Sequence, residues 1–191
     1  FINVLANPIY LEDSIYYTSA AKDTVIGSHR QLHNAVLPAS VRVVKDSAFF
    51  DRGNLAAVSL PGGLEYIGKM AFAWNYALTE VTIPQGVKFI GDNAFWSCAN
   101  LTTVNFNADS CLVASPTTGS DGSYWPVFID CDNVRTINIG ENVKRIPDRL
   151  FSYCNGLRGT LTIPDAVTYI GANAFYHWID DWDWDNGSDW D

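Results

Sequence analysis

The densest collection of metal-type ligands in the sequence is its last twelve residues, DDWDWDNGSDWD, which hold six Asp and no Lys or Arg. Hard cations such as calcium gather several carboxylate oxygens, and Asp181, Asp183, Asp185 and Asp189 could supply them if the chain turned at Asn186-Gly187. The register does not fit a helix-loop-helix calcium loop, because Gly lies six rather than five residues after Asp181 and no Glu follows to close the shell. On a strand, the alternating Asp residues would form a solvated face opposite buried Trp182 and Trp184. That capping role is preferred over a calcium- or carbohydrate-binding surface.

Cys98, Cys131 and Cys154 each lie three residues beyond a Phe, which predicts an inward column of small apolar side chains. A Cys98–Cys131 or Cys131–Cys154 disulfide stays open as an alternative, with Cys111 either a free thiol or a partner. No Cys-x-x-Cys or second His pair completes a zinc site. His29 and His33, in HRQLH, have zinc-protease spacing but lack the Glu, and the residues after them lead into a strand rather than a helix. No Gly-x-Ser-x-Gly, phosphate-binding Gly-Lys-Ser/Thr or dinucleotide glycine pattern occurs. No nucleophile, base and orienting group can be placed together, so the chain reads as a non-enzyme without a cofactor.

The 191 residues are 48% hydrophobic and 17% charged, enough for a packed core. The net charge of −9 is concentrated in the tail. With no basic cluster elsewhere, nucleic acid and anionic membrane surfaces are not expected partners. No run of apolar residues is long enough to cross a membrane as a helix, so no membrane insertion is expected.

What positions these residues is a repeat. Ala48-Phe49, Ala71-Phe72 and Ala94-Phe95 follow one another at 23 residues, and Phe128, Phe151 and Phe175 continue at 33, 23 and 24. Other columns move in step: Leu37-Pro38, Leu60-Pro61, Ile83-Pro84 and Ile163-Pro164, then Val44, Ile67, Ile90, Ile146 and Ile170. A fixed period of this length marks a solenoid, in which each unit buries its apolar face only against its neighbours. The alternating runs, such as Leu78-Thr-Glu-Val81-Thr-Ile83 and Leu101-Thr-Thr-Val104-Asn-Phe106, predict one strand per coil in a parallel sheet. Val81, Ile83, Val104 and Phe106 should point inward and Thr82 and Asn105 outward.

The pattern L-x-x-V-x-I-P-x-x-V-x-x-I-G-x-x-A-F-x-x-C-x-x-L resembles the BspA-like (Treponema pallidum type) leucine-rich repeat family, from Gln31 to Trp178. The resemblance implies a curved leucine-rich-repeat solenoid of the α/β-type repeat class, with about five to six coils of ~23 residues and a parallel β-sheet on its concave face. Short strands, 3-10 turns and loops are expected elsewhere. It further implies a surface or secreted protein that binds extracellular or host proteins of matrix or serum type.

The chain is expected to be one repeat domain over residues 1–191. Residues 1–30 form a degenerate first coil and cap, with Val25-Ile26 in the Ala-Phe place. Residues 31–178 carry the repeats, and residues 179–191 the Trp/Asp-rich cap. An insertion over 107–127, rich in Ser, Thr, Gly and Pro, should loop out and present Tyr124 and Trp125.

Two candidate contact surfaces follow. The outward strand positions Thr82, Asn105, Asn138 and Thr162 would line the concave sheet. Tyr66, Phe89 and Trp96, beside the Ile and Phe columns, would form an aromatic edge if exposed, or pack between coils if not. The expected function is a non-enzymatic protein-recognition or adhesion module of extracellular or cell-surface location. The alternatives are a structural spacer in a larger surface protein, or a carbohydrate- or calcium-binding surface built on the tail.

Overall fold

The structure is a computed structural model that describes residues 10–114, 125–158 and 160–176. It begins with three antiparallel strands, β1 Tyr10–Glu12, β2 Ile15–Tyr17 and β3 Thr24–Ser28. The β1–β2 turn is Asp13-Ser14, both at positive φ (47° and 66°), the backbone a tight two-residue hairpin needs. Each coil then contributes a first and a second strand. These are β4 Asn34–Val36 and β5 Val43–Val44, β6 Ala57–Ser59 and β7 Tyr66–Ile67, β8 Glu80–Ile83 and β9 Phe89–Ile90, β10 Thr103–Phe106 and β11 Val113–Ala114, and β12 Thr136–Ile139 and β13 Arg145–Ile146. The last described coil gives only β14 Tyr169–Ile170.

The coils therefore stack through two parallel ladders, where one was expected. The first strands pair as β4–β6 and as β8–β10–β12. The second strands run β3-β5-β7-β9-β11, with β13–β14 separate. Alternation decides the faces of β8 and β10: Val81, Ile83, Val104 and Phe106 are buried and Thr82 is exposed. The third side of each coil is turns, and no helix occurs among the described residues.

One or two residues per coil sit in the left-handed region. Ser47, Met70, Asn93, Arg149 and Asn173 do so at one turn, and Asp51, Trp74, Ser97, Asp130 and Tyr153 at the next. These kinks aim the backbone amides along the solenoid axis, so that Phe49 N donates to Ala71 O (2.8 Å), Phe72 N to Ala94 O (2.7 Å) and Phe95 N to Val127 O (2.9 Å). The turn side is thereby hydrogen-bonded from coil to coil without being a strand. Gly68 and Gly91 sit where adjacent coils approach closely; a Cβ would lie 2.4 Å from the backbone nitrogens of Asp46 and Lys69.

The core is a set of columns. Six rings, Phe49, Phe72, Phe95, Phe128, Phe151 and Phe175, stack in succession with centroids 5.0, 5.1, 5.1, 5.9 and 5.4 Å apart. The insertion leaves this stack continuous: Phe95 and Phe128, 33 residues apart in sequence, are as close as Phe72 and Phe95.

One sequence alignment is corrected. Val25 pairs with Val44 and so belongs to the Ile column, not to the Ala-Phe place. The cause is the hairpin, which delivers the chain straight into the second ladder and makes the start of the solenoid antiparallel rather than a degenerate coil. Ser28 ends β3 buried, and its hydroxyl donates to Ala48 O at 2.9 Å.

Candidate functional site

The outward residues of β8, β10 and β12 are tied into a polar ladder. The parallel register sets Thr82 beside Asn105 and Asn105 beside Asn138. Asn105 Nδ2 donates to Glu80 Oε1 (2.6 Å) and Thr82 Oγ1 (3.1 Å), and Asn138 Nδ2 donates to Asn105 Oδ1 (2.7 Å). Strand spacing of about 4.8 Å allows a short amide to bridge to its neighbour, so like polar residues form a chain. Thr82 and Asn138 are exposed and Asn105 is half-buried between them. The sequence missed Glu80; its signal was its position two residues before Thr82, on the same face.

Thr162 does not join this ladder. It is exposed, but Leu161–Ile163 form no strand and β12 pairs only with β10 among the described residues. The extra residue between Leu157 and Leu161 shifts the chain out of register with Thr136–Ile139.

The aromatic residues divide into separate ladders rather than one patch. Tyr66 and Phe89 stack at 4.6 Å with their planes 1° apart, on the outer face of the second ladder. Both are half-buried, and burial together with nearby Asp46 raises the Tyr66 hydroxyl above its usual pKa. On the turn side, Phe50 stacks on Trp74 (5.5 Å) and Trp74 meets Trp96 edge-on (5.4 Å). Trp96 Nε1 donates to Asp130 Oδ2 at 2.8 Å. Trp125 is 41% exposed, and its carbonyl accepts from Asn93 N at 3.3 Å. Tyr124 and the calcium candidates Asp181, Asp183, Asp185 and Asp189 lie outside the described residues.

The cysteine column does more than fill space. Asn75 occupies it one coil earlier and donates through Nδ2 to Phe49 O (2.9 Å) and Phe72 O (2.6 Å). Cys98 Sγ donates to Phe72 O (3.2 Å) and Cys131 Sγ to Phe95 O (3.1 Å). In the first coil the same column holds Arg52, whose Nε donates to Ser28 Oγ (3.0 Å) and Nη2 to Ser28 O (2.9 Å), with Nη1 bonding Phe50 O. Each side chain thus satisfies backbone or hydroxyl groups at the preceding coil's turn. Counting three residues on from each Phe would have exposed this equivalence of Arg, Asn and Cys.

Cys98, Cys131 and Cys154 are free thiols. Burial pushes the Cys154 thiol up to about 12, and burial, together with the side-chain interaction of the protonated Cys131 thiol with Cys98, raises Cys131 well above the ordinary range. Neither is a nucleophile at neutral pH. His29 and His33 are exposed and precede β4, not a helix. No group of three His, Cys, Asp or Glu residues suited to a metal ion occurs among the described residues. Nor, among them, is any helix long and apolar enough to cross a membrane.

The model for the BspA type leucine rich repeat region matches the chain in six copies, over residues 24–113 and 124–180. Among solved structures, a leucine-rich repeat protein of Eubacterium ventriosum superposes with a TM-score of 0.61 at 24% identity, covering 89% of this chain and 50% of its own. The pneumococcal vaccine antigen PcpA superposes with a TM-score of 0.60 at 19% identity, covering 88% of this chain and 44% of its own. A leucine-rich repeat protein of Bacteroides capillosus superposes with a TM-score of 0.53 at 19% identity, covering 69% of this chain and 97% of its own. These likenesses show the fold. The chain spans about half the length of the first two proteins. No curated protein matches the chain.

Proposed function

The chain belongs to the BspA-type leucine-rich repeat family, and from that premise we propose that it is a non-enzymatic recognition module displayed outside the cell, binding protein partners through the solenoid surface. The observation that carries this reading is the ladder of Glu80, Thr82, Asn105 and Asn138. Its side chains are held in fixed positions by one another rather than by solvent, so little side-chain entropy is lost when a partner docks. The free amide and hydroxyl groups at its rim can pair with a partner's polar atoms. Support for an exterior location comes from PcpA, which shares this fold and is a vaccine antigen. The repeats over residues 31–178 supply the surface, with residues 1–30 and 179–191 as caps and Tyr124 and Trp125 of the insertion as further candidate contacts.

The test is interferometry of the purified chain against a panel of extracellular-matrix and serum proteins, with and without a calcium chelator. Saturable binding that survives chelation and is lost in Asn138→Lys, which lays a long cation over the ladder, is expected. Binding that disappears with calcium would transfer the role to the Asp-rich tail. Absence of binding across the panel would overturn the recognition reading in favour of a spacer.

A further inference from the structure

The first face of the solenoid opens between β12 and Leu161–Ile163, leaving a cleft of about 900 Å³. Its floor is the interior of the molecule. Ile137 is 7% exposed and Ile139 only partly buried, as are Val58 and Leu60 beside the break between β6 and β8, whereas Val81, Ile83, Val104 and Phe106 are at 0–1%. The opening is confined to this face. The same two coils remain joined by the β13–β14 pair and by Phe151 N donating to Ala174 O at 2.8 Å on the turn side. Among the described residues, the amides of Leu161, Thr162 and Ile163 make no backbone hydrogen bond, and the outer edge of β12 has no strand partner.

The walls of this cleft carry like charges at corresponding positions. Arg135 and Arg158 occupy one column at the start of the strand position, and Glu141 and Asp165 one column at its end. In the preceding coils those columns hold Ala56, Thr79 and Thr102, and Gly62, Gln85 and Ala108. Like charges directly opposite across adjacent strands disfavour pairing. A strand between the walls would relieve both pairs at once if its N-terminal end were acidic and its C-terminal end basic. A four-residue strand occupies roughly 13 by 5 by 10 Å, about 600 Å³, which the cleft accommodates.

We infer that this cleft is a strand-insertion site for an extended segment of a partner protein, running parallel to β12, with apolar residues alternating between an acidic first and a basic last residue. Main-chain hydrogen bonds to both walls supply affinity, and the charge pairs set direction. The inference rests on the recognition reading and assigns it a specific edge.

The experiment is hydrogen exchange read by mass spectrometry on the whole chain. In the free protein the amides of Leu161–Ile163 exchange near the unprotected rate while those of Val104–Phe106 are slow; equal protection would overturn the inference. The probe peptide acetyl-Glu-Val-Thr-Ile-Lys-amide should slow exchange at Leu161–Ile163, and the reversed Lys-Val-Thr-Ile-Glu peptide should bind roughly tenfold more weakly. Failure of the first peptide to slow exchange at millimolar concentration would also overturn it. The double variant Arg158→Thr/Asp165→Gln should close the cleft, protecting these amides and abolishing peptide binding. A matrix or serum protein that binds yet leaves these amides unchanged would keep the recognition reading and exclude the cleft as its site.

Discussion

Replacing Phe95 by Ala removes a ring from the middle of the phenylalanine stack. Phe95 is fully buried and has a ring on each side, Phe72 at 5.1 Å and 8° and Phe128 at 5.1 Å and 13°. Burial of a Phe is worth several kcal/mol at about 25 cal/mol per Å², and each ring pair adds roughly 0.5–1.5 kcal/mol. Coils held by hydrogen bonds on three sides cannot collapse onto the hole, which places the cost at about 4–5 kcal/mol. Phe175 supplies the internal control: it is half-buried and, among the described residues, has one stacking partner, Phe151 at 5.4 Å. Phe175→Ala should cost about 1–2 kcal/mol. The assay is urea unfolding followed by tryptophan fluorescence and far-UV circular dichroism. Because a repeat array can lose cooperativity when broken in the middle, a drop in the m-value of Phe95→Ala is also expected. Equal costs at the two positions, or a cost below about 1 kcal/mol at Phe95, would refute the account of a stack stabilised by neighbours on both sides.

At pH 7 the native protein should not react with a thiol reagent at Cys98, Cys131 or Cys154, and the unfolded chain should titrate four thiols; fewer than four would reveal a disulfide. Since the Cys154 thiol is raised from 9.0 to about 12, its contribution is complete below pH 9 and is lost as pH rises toward 12. Melting temperatures from pH 8 to 10.5 should therefore fall less steeply in Cys154→Ala. Asn75→Ala should cost about 1–3 kcal/mol by leaving Phe49 O without its donor, while Asn75→Cys should cost less because Cys98 performs that task one coil later; chemical denaturation ranks the two. Arg52→Ala should cost about 1–3 kcal/mol and raise hydrogen exchange in β2 and β3, since the guanidinium ties Ser28 to the first coil.

The Phe and Ile columns were legible because burial repeats on them across the middle coils: a residue that must face the interior at Phe72 must do so at Phe95. Val25 was misplaced because periodicity carries no sign of strand direction, and a Val-Ile pair suits an antiparallel cap as well as a coil. The second ladder was hidden because its strands are two residues long, too short for alternation to show. Thr162 shares the residue pattern of Thr82, but its coil carries one extra residue between Leu157 and Leu161 and sets Arg158 and Asp165 in the columns of Arg135 and Glu141. That pairing was present in the sequence, but comparing residues within a coil conceals what comparing them between coils reveals. The polar ladder lay between these cases: its members were identified, while the hydrogen bonds that fix them depend on a register no single strand discloses.

The left-handed residues give the molecule the character of a polymer with an initiation step and repeated propagation. The β1–β3 hairpin acts as initiator, converting an antiparallel start into a parallel edge. On the second ladder and the turn side, each middle coil receives hydrogen bonds on one side and offers the same set on the other, so nothing in that scaffold specifies its ordinal number. Duplicating one 23-residue unit, for instance residues 72–94, should lengthen the molecule by about the 5.1 Å that separates Phe72 from Phe95 and leave every other junction unchanged. Length is then a quantity that gene duplication can change in whole steps, independently of the binding surface each coil displays.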